Sequence, residues 1–233
     1  MTNSIVKNKL NASYRKLFLI SLMLLCFVTS ILFAGCKKSV DYFSYVSELR
    51  NNIFCAEYEG FSLRIYSVKK ETPYVADGIA HESTARTEIY LLAPDGSPNY
   101  TLWVQIEKEK YGGELSYDNI KSEYFLSFSL DTSDFEELPC ILQFEETQIQ
   151  LTATSVLSEE TLSPNKILDT VREHSPELFA QMTDKYGFAG EIYLRLLYEE
   201  APYYYVGVIN RNGEINAFLV NAKTGKVLAR RTP

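Results

Sequence analysis

Ser67-Val68-Lys69-Lys70 sets a hydroxyl three residues ahead of an amine, the S-x-x-K spacing at which a lysine can take the proton of a serine nucleophile. Tyr117-Asp118-Asn119 and Lys223-Thr224-Gly225 follow in the order in which acyl-serine chemistry uses its middle and last motifs. That chemistry needs the serine to open a helix, so that the lysine one turn later reaches its hydroxyl. Ser67 instead ends an alternating run and Pro73 closely follows Lys70, so the segment reads as a strand. On a strand, positions 67 and 70 face opposite sides, and acyl transfer is not expected. His81 and His174 are the two histidines, one in a polar loop and one near a helix end, and neither lies in a metal-ligand spacing. Asn210-Arg211-Asn212-Gly213-Glu214 lacks the later bidentate acid of a calcium loop and reads as a hairpin turn. Glu136-Glu137, Glu145-Glu146 and Glu159-Glu160 are adjacent pairs, which point apart on strands and read as solvated. No metal, cofactor or catalytic group is expected.

Aromatic residues are the remaining binding chemistry. Tyr203 and Tyr205 fall on one face of a strand and Tyr204 on the other, and Trp103 lies opposite the apolar set Leu102, Val104 and Ile106. Rings that combine apolar area with a polar tip can hold a peptide or a sugar, so Trp103, Tyr203 and Tyr205 are the candidate ligand-facing aromatics. The competing reading is that these tyrosines pack as good strand formers.

Charge and order place the chain. Four of its 23 Lys and Arg and none of its 30 Asp and Glu lie in residues 1–35, so residues 36–233 carry 19 bases against 30 acids, a net charge of −11. An acidic body repels phosphates, and a nucleic-acid partner is excluded. The four bases, Lys7, Lys9, Arg15 and Lys16, precede Leu17 to Ala34, 18 residues without a charge. Basic, then apolar, then small residues is the order of an export signal. Ala34-Gly35-Cys36 resembles the lipobox of bacterial lipoproteins, with Phe33 where that family usually has Leu. The resemblance implies cleavage before Cys36, a lipid on its sulfur and a membrane anchor at the extracytoplasmic face. The alternative for the same segment is an uncleaved spanning anchor. Of the four cysteines, Cys26 and Cys36 are then taken up, and Cys55 and Cys140 remain, either to form a disulfide or to stand as separate buried thiols.

Hydrophobic patterning supplies the frame. Residues 36–52 read as a tether running into a short helix, from Tyr42, Tyr45, Val46 and Leu49 at helical spacing. Alternating runs at 61–68, 85–93, 100–107, 124–130, 140–144 and 147–156, separated by turn residues, predict an antiparallel β-sandwich over 53–157. Ser163-Pro164 and Ser175-Pro176 are helix starts, Gly187 a helix stop, and strands follow at 191–198, 203–209, 215–221 and 226–230. Residues 158–233 therefore read as a small α+β domain, helices then an antiparallel meander. Its stretch "YYYVGVINRNGEINAFLVNAKTGKVL" resembles the second half of a PepSY domain, with Asn221 where that family has Asp. The resemblance implies a non-catalytic unit that regulates through protein contact. The expected protein is mainly β, lipid-anchored and not an enzyme, and it binds a protein or peptide partner. The alternative is carbohydrate or solute binding through exposed aromatics.

Overall fold

Thirteen residues, Val46–Tyr58, form a strand (β1) that organises the rest of the chain. The computed structural model describes residues 40–94 and 99–233; the expected export signal and the expected lipid site, Cys36, lie outside the described residues. β2 (Phe61–Glu71) runs antiparallel along almost the whole of β1, joined to it by Glu59-Gly60. Both turn residues have positive φ, +43° and +87°, which twists the two-residue hairpin as the strands require. The other edge of β1 is shared. Its first half pairs in parallel with β12 (Gly190–Tyr198), Val46 opposite Ile192 and Leu49 opposite Leu194. Its second half pairs antiparallel with β9 (Thr147–Ser155), Phe54 opposite Ser155. The register slips between Arg50 and Asn52, at the point where β1 leaves one neighbour for the other.

One branch from β1 is a nearly closed, barrel-like sheet. β2 leads to β3 (Ser83–Leu92), then β7 (Glu123–Phe128) and the short β6 (Ser116–Asp118). On the other side β9 leads to β8 (Glu137–Phe144), β4 (Thr101–Ile106) and β5 (Glu109–Glu114). Tyr111 of β5 stacks on Phe128 of β7 at 6.5 Å, where the two ends approach. The alternation seen in the sequence fills the interior: Phe54, Leu63, Ile65, Ile89, Leu91, Leu102, Val104, Leu138 and Leu142 form one buried cluster.

The second branch continues from β12 to β13 (Pro202–Asn210), β14 (Ile215–Asn221) and β15 (Val227–Arg231), all antiparallel. Leu194, Leu196, Tyr204, Val206, Phe218 and Val220 are buried on one face. Helices α1 (Pro164–His174) and α2 (Pro176–Gln181) bury Ile167, Leu168, Val171 and Phe179. The Ser163 hydroxyl accepts from Lys166 N at 3.4 Å, so this start signal is read correctly. Gly187 is not the helix stop, because α2 ends at Gln181 and Gly187 opens a tiny strand in the β10 (Thr183–Asp184) and β11 (Gly187–Phe188) hairpin. It has a positive φ of +136°, and a Cβ there would run into the Tyr45 hydroxyl.

The chain is mainly β and antiparallel, as the patterning predicts. Residues 53–157 and 158–233 nevertheless share one 13-stranded sheet through the pairing of β1 with β12, and Asp41–Pro233 forms one compact unit. The helix expected within 36–52 is replaced by a single 3₁₀ turn, Tyr42–Tyr45, and then by β1. Local helical spacing is weak, and β1 gains backbone partners on both sides, so the tertiary pairing prevails. Tyr42 and Tyr45 still pack as aromatics, at 5.1 Å from Phe179 and 5.3 Å from Phe188. No helix among the described residues is long and apolar enough to cross a membrane.

Candidate functional site

Positions 67 and 70 do fall on opposite faces of β2. Ser67 is buried, whereas the Lys70 ammonium lies 4.0 Å from Glu48 and over the Tyr74 ring. Lys223-Thr224-Gly225 is a turn in which Asn221 Oδ1 accepts from the backbone N–H of Lys223 and Thr224. His81 faces Asp77 at 3.5 Å and His174 packs edge-on to Phe218. Among the described residues no three His, Cys, Asp or Glu side chains converge as a metal site.

Cys55 and Cys140 are both free thiols. Phe54 and Ala56 point into the barrel cluster, so Cys55 between them points outward, while Cys140 belongs to the interior. Cys55 on β1 and Cys140 on β8 thus face opposite sides of the sheet, with β9 between their strands. Burial pushes the Cys140 thiol up to about 12 and raises that of Cys55. Trp103, Tyr203 and Tyr205 are each half-buried, but they do not converge. Along the pairing order β8, β9, β1 and β12 stand between the strand of Trp103 and that of the two tyrosines.

The outer face of the sheet carries a different constellation. β12 and β1 contribute Arg195 and Glu48, joined by two hydrogen bonds, from Nε at 2.7 Å and from a terminal nitrogen at 2.5 Å. Tyr193 and Tyr205 flank this guanidinium at 4.6 and 5.8 Å, closing it off as a satisfied pair. One strand pair further on, Arg50 of β1 lies over the Tyr66 ring of β2 at 4.2 Å, Tyr66 meets Tyr90 of β3 edge-on at 5.3 Å, and Tyr90 tilts against Phe125 of β7 at 5.0 Å. Lys121 reaches over Tyr90 at 5.5 Å. Arg50, Arg64, Tyr66, Tyr90, Leu92 and Lys121 thereby line a groove of about 380 Å³, with Ser62 and Glu123 completing it. A second depression of about 540 Å³ shares Tyr90, Lys121 and Glu123 and extends past Tyr117 and Ile120. Exposed apolar side chains border both: Ile120, 95% exposed, and Tyr117, 42%, in the second, and Leu92, 49%, in the first. Cations over ring faces are worth about 0.5–1 kcal/mol each at such exposure, a bias of Arg50 and Lys121 toward the rings.

Part of this site was visible in the sequence. The alternation that buries Leu63 and Ile65 necessarily turns Arg64 and Tyr66 outward, and Tyr90 alternates with Ile89 and Leu91 in the same way. What the sequence lacked was the pairing order that lays Arg50, Tyr66 and Tyr90 side by side. No family model, no curated protein and no solved structure matches the chain.

Proposed function

We propose that this is a non-catalytic cell-envelope protein, held to the membrane by lipid on Cys36, that binds a protein or peptide partner through the groove at Arg50, Tyr66, Tyr90 and Lys121. The observation that carries the binding reading is exposed apolar surface on both connected depressions, Leu92 in the groove and Tyr117 and Ile120 in the one that shares Tyr90 and Lys121 with it. Exposed large apolar residues gathered beside Tyr and Arg are the composition of a protein contact surface. The envelope address follows from the lipobox resemblance of Ala34-Gly35-Cys36. In the same reading, residues 158–233 are a PepSY-like α+β unit joined edge-on to a sandwich-derived barrel. The helix–hairpin order and the Asn221–Gly225 turn support that ancestry.

A photoreactive phenylalanine analogue at Tyr117, in cells making the full chain, should cross-link one defined protein. The same analogue at Tyr203 should not. Equal capture at both positions, or none at Tyr117, rejects the groove as the contact surface. Incorporation of labelled palmitate that is lost in Cys36→Ala tests the anchor independently.

A further inference from the structure

The groove is a local excess of positive charge on an acidic protein. Arg50, Arg64 and Lys121 line it against Glu123, with Glu88 at the Tyr90 hydroxyl and Asp118 in the adjoining depression. Arg50 makes no ion pair among the described residues and lies over the Tyr66 ring, with its Nε buried out of a visitor's reach. Arg64 interacts with the Tyr66 hydroxyl and lies 3.9 Å from the exposed Glu199, and Lys121 reaches Glu123 at 3.6 Å. Arg195, a short distance along the same face, gives its Nε and one terminal N–H to Glu48. Arg64 and Lys121 thus make only long, exposed ion pairs, whereas Arg195 gives its charge and two of its five donors to a buried carboxylate. The rings beneath them are already engaged: Arg50 covers Tyr66, Lys121 covers Tyr90, and the two rings contact each other. A sugar would have to compete with those contacts to stack, whereas a carboxylate would add to them.

We infer that the groove receives an acidic peptide segment, its Asp or Glu side chains on Arg50, Arg64 and Lys121 and a neighbouring apolar side chain against Leu92 and Ile120. The inference rests on the partner-binding reading above and names the chemistry of that partner. Positive charge in a cleft on a body of net charge −11 gives such a segment one favoured landing place, because the surrounding acids repel it elsewhere.

The test is fluorescence anisotropy of labelled hexaglutamate, hexaglutamine and an oligogalacturonate against the full-length protein in detergent. Hexaglutamate should bind best, with affinity that falls as salt rises. The double variant Arg64→Gln, Lys121→Gln should weaken it at least about 10-fold, as expected for removal of interfacial charge contacts. Both side chains are substantially exposed, so the variant keeps its fold, and near-UV circular dichroism checks this. Lys69→Gln, which pairs with Asp131 on the other face, should leave binding unchanged. Equal binding of hexaglutamate and hexaglutamine, insensitivity to the double variant, or tighter binding of the oligogalacturonate overturns the inference. Cross-linking from Tyr117 in the absence of hexaglutamate binding would leave the partner reading standing and remove only its acidic chemistry. Loss of both results removes both.

Discussion

Glu191 is the residue whose chemistry is most at odds with its place. It is 0% exposed on β12, and neither carboxyl oxygen meets a hydrogen-bond partner among the described residues. Burial raises its pKa above the ordinary carboxyl value of 4.5. The nearby Ser47 hydroxyl and Gly78 N–H pull the other way, and the Glu71 and Asp77 carboxylates add to the rise. A carboxyl whose folded pKa is raised holds its proton more tightly when folded. Its stabilising contribution is therefore complete below pH 4.5 and is lost as pH rises through the raised value. The neutral variant Glu191→Gln should be more stable than wild type at pH 8, because it removes the buried negative charge that desolvation and the Glu71 and Asp77 carboxylates oppose. The gap should close as pH falls to 4.5. Urea melts at both ends of that range measure it, and a variant less stable than wild type at pH 8 contradicts the assignment. Glutamate in an apolar run, "GEIYLRLLY", could be read only as an outward strand position, because what covers it comes from the Gly78 loop.

At the scale of elements, β1 depends on a polar residue as much as on its apolar ones. Asn52 is buried beside the register slip, and all of its side-chain groups are used. Its Oδ1 accepts from Ser155 Oγ at 2.7 Å and Ile53 N at 2.8 Å. Its Nδ2 donates to the carbonyls of Ser133 and Phe135 at 3.3 and 3.2 Å. One amide thus ties β1 to β9 and to the loop between β7 and β8. Asn52→Ala should cost about 2–3 kcal/mol, since each abandoned buried group carries its own desolvation penalty. Amide hydrogen exchange should show the loss first in residues 131–136. Uniform exchange with no change in that loop would place the role of Asn52 elsewhere. Elements of this kind also mark where the sequence was legible. β2, β3, β4 and β9 announced themselves because each buries one alternating face, and α1 because its cap is local. β1 was misread in its first half because its identity comes from partners distant in sequence. β5, "EKYGGE", gave no strand signal because its pairing with β4 is backbone chemistry that charged and glycine residues do not advertise.

For the whole molecule, the texture change near residue 158 suggested two domains, yet β1 belongs to both sides of it. Five of its residues, Val46 to Arg50, complete the C-terminal sheet, and the rest completes the barrel. The two cores should therefore lose structure together. Leu102→Ala in the barrel and Leu194→Ala in the C-terminal core should each cost about 2–5 kcal/mol and shift one common unfolding transition. Two transitions, each moved by only one of the variants, would restore the two-domain reading. The candidate groove shows the same division between local and distant information. Its ring and cation types stood in the alternating runs, and their adjacency came from strand order.

The divided edge of β1 also governs how the protein can be made. Val46 pairs with Ile192, so the earliest strand to be synthesised cannot complete its bonding until one of the last has been delivered. Contacts of such separation are slow to form. In the interval, or in any truncated product ending before residue 190, the backbone of Val46–Arg50 offers unpaired N–H and C=O groups to whatever strand arrives. Incomplete chains should consequently self-associate through that edge, and the finished chain conceals it by inserting β12.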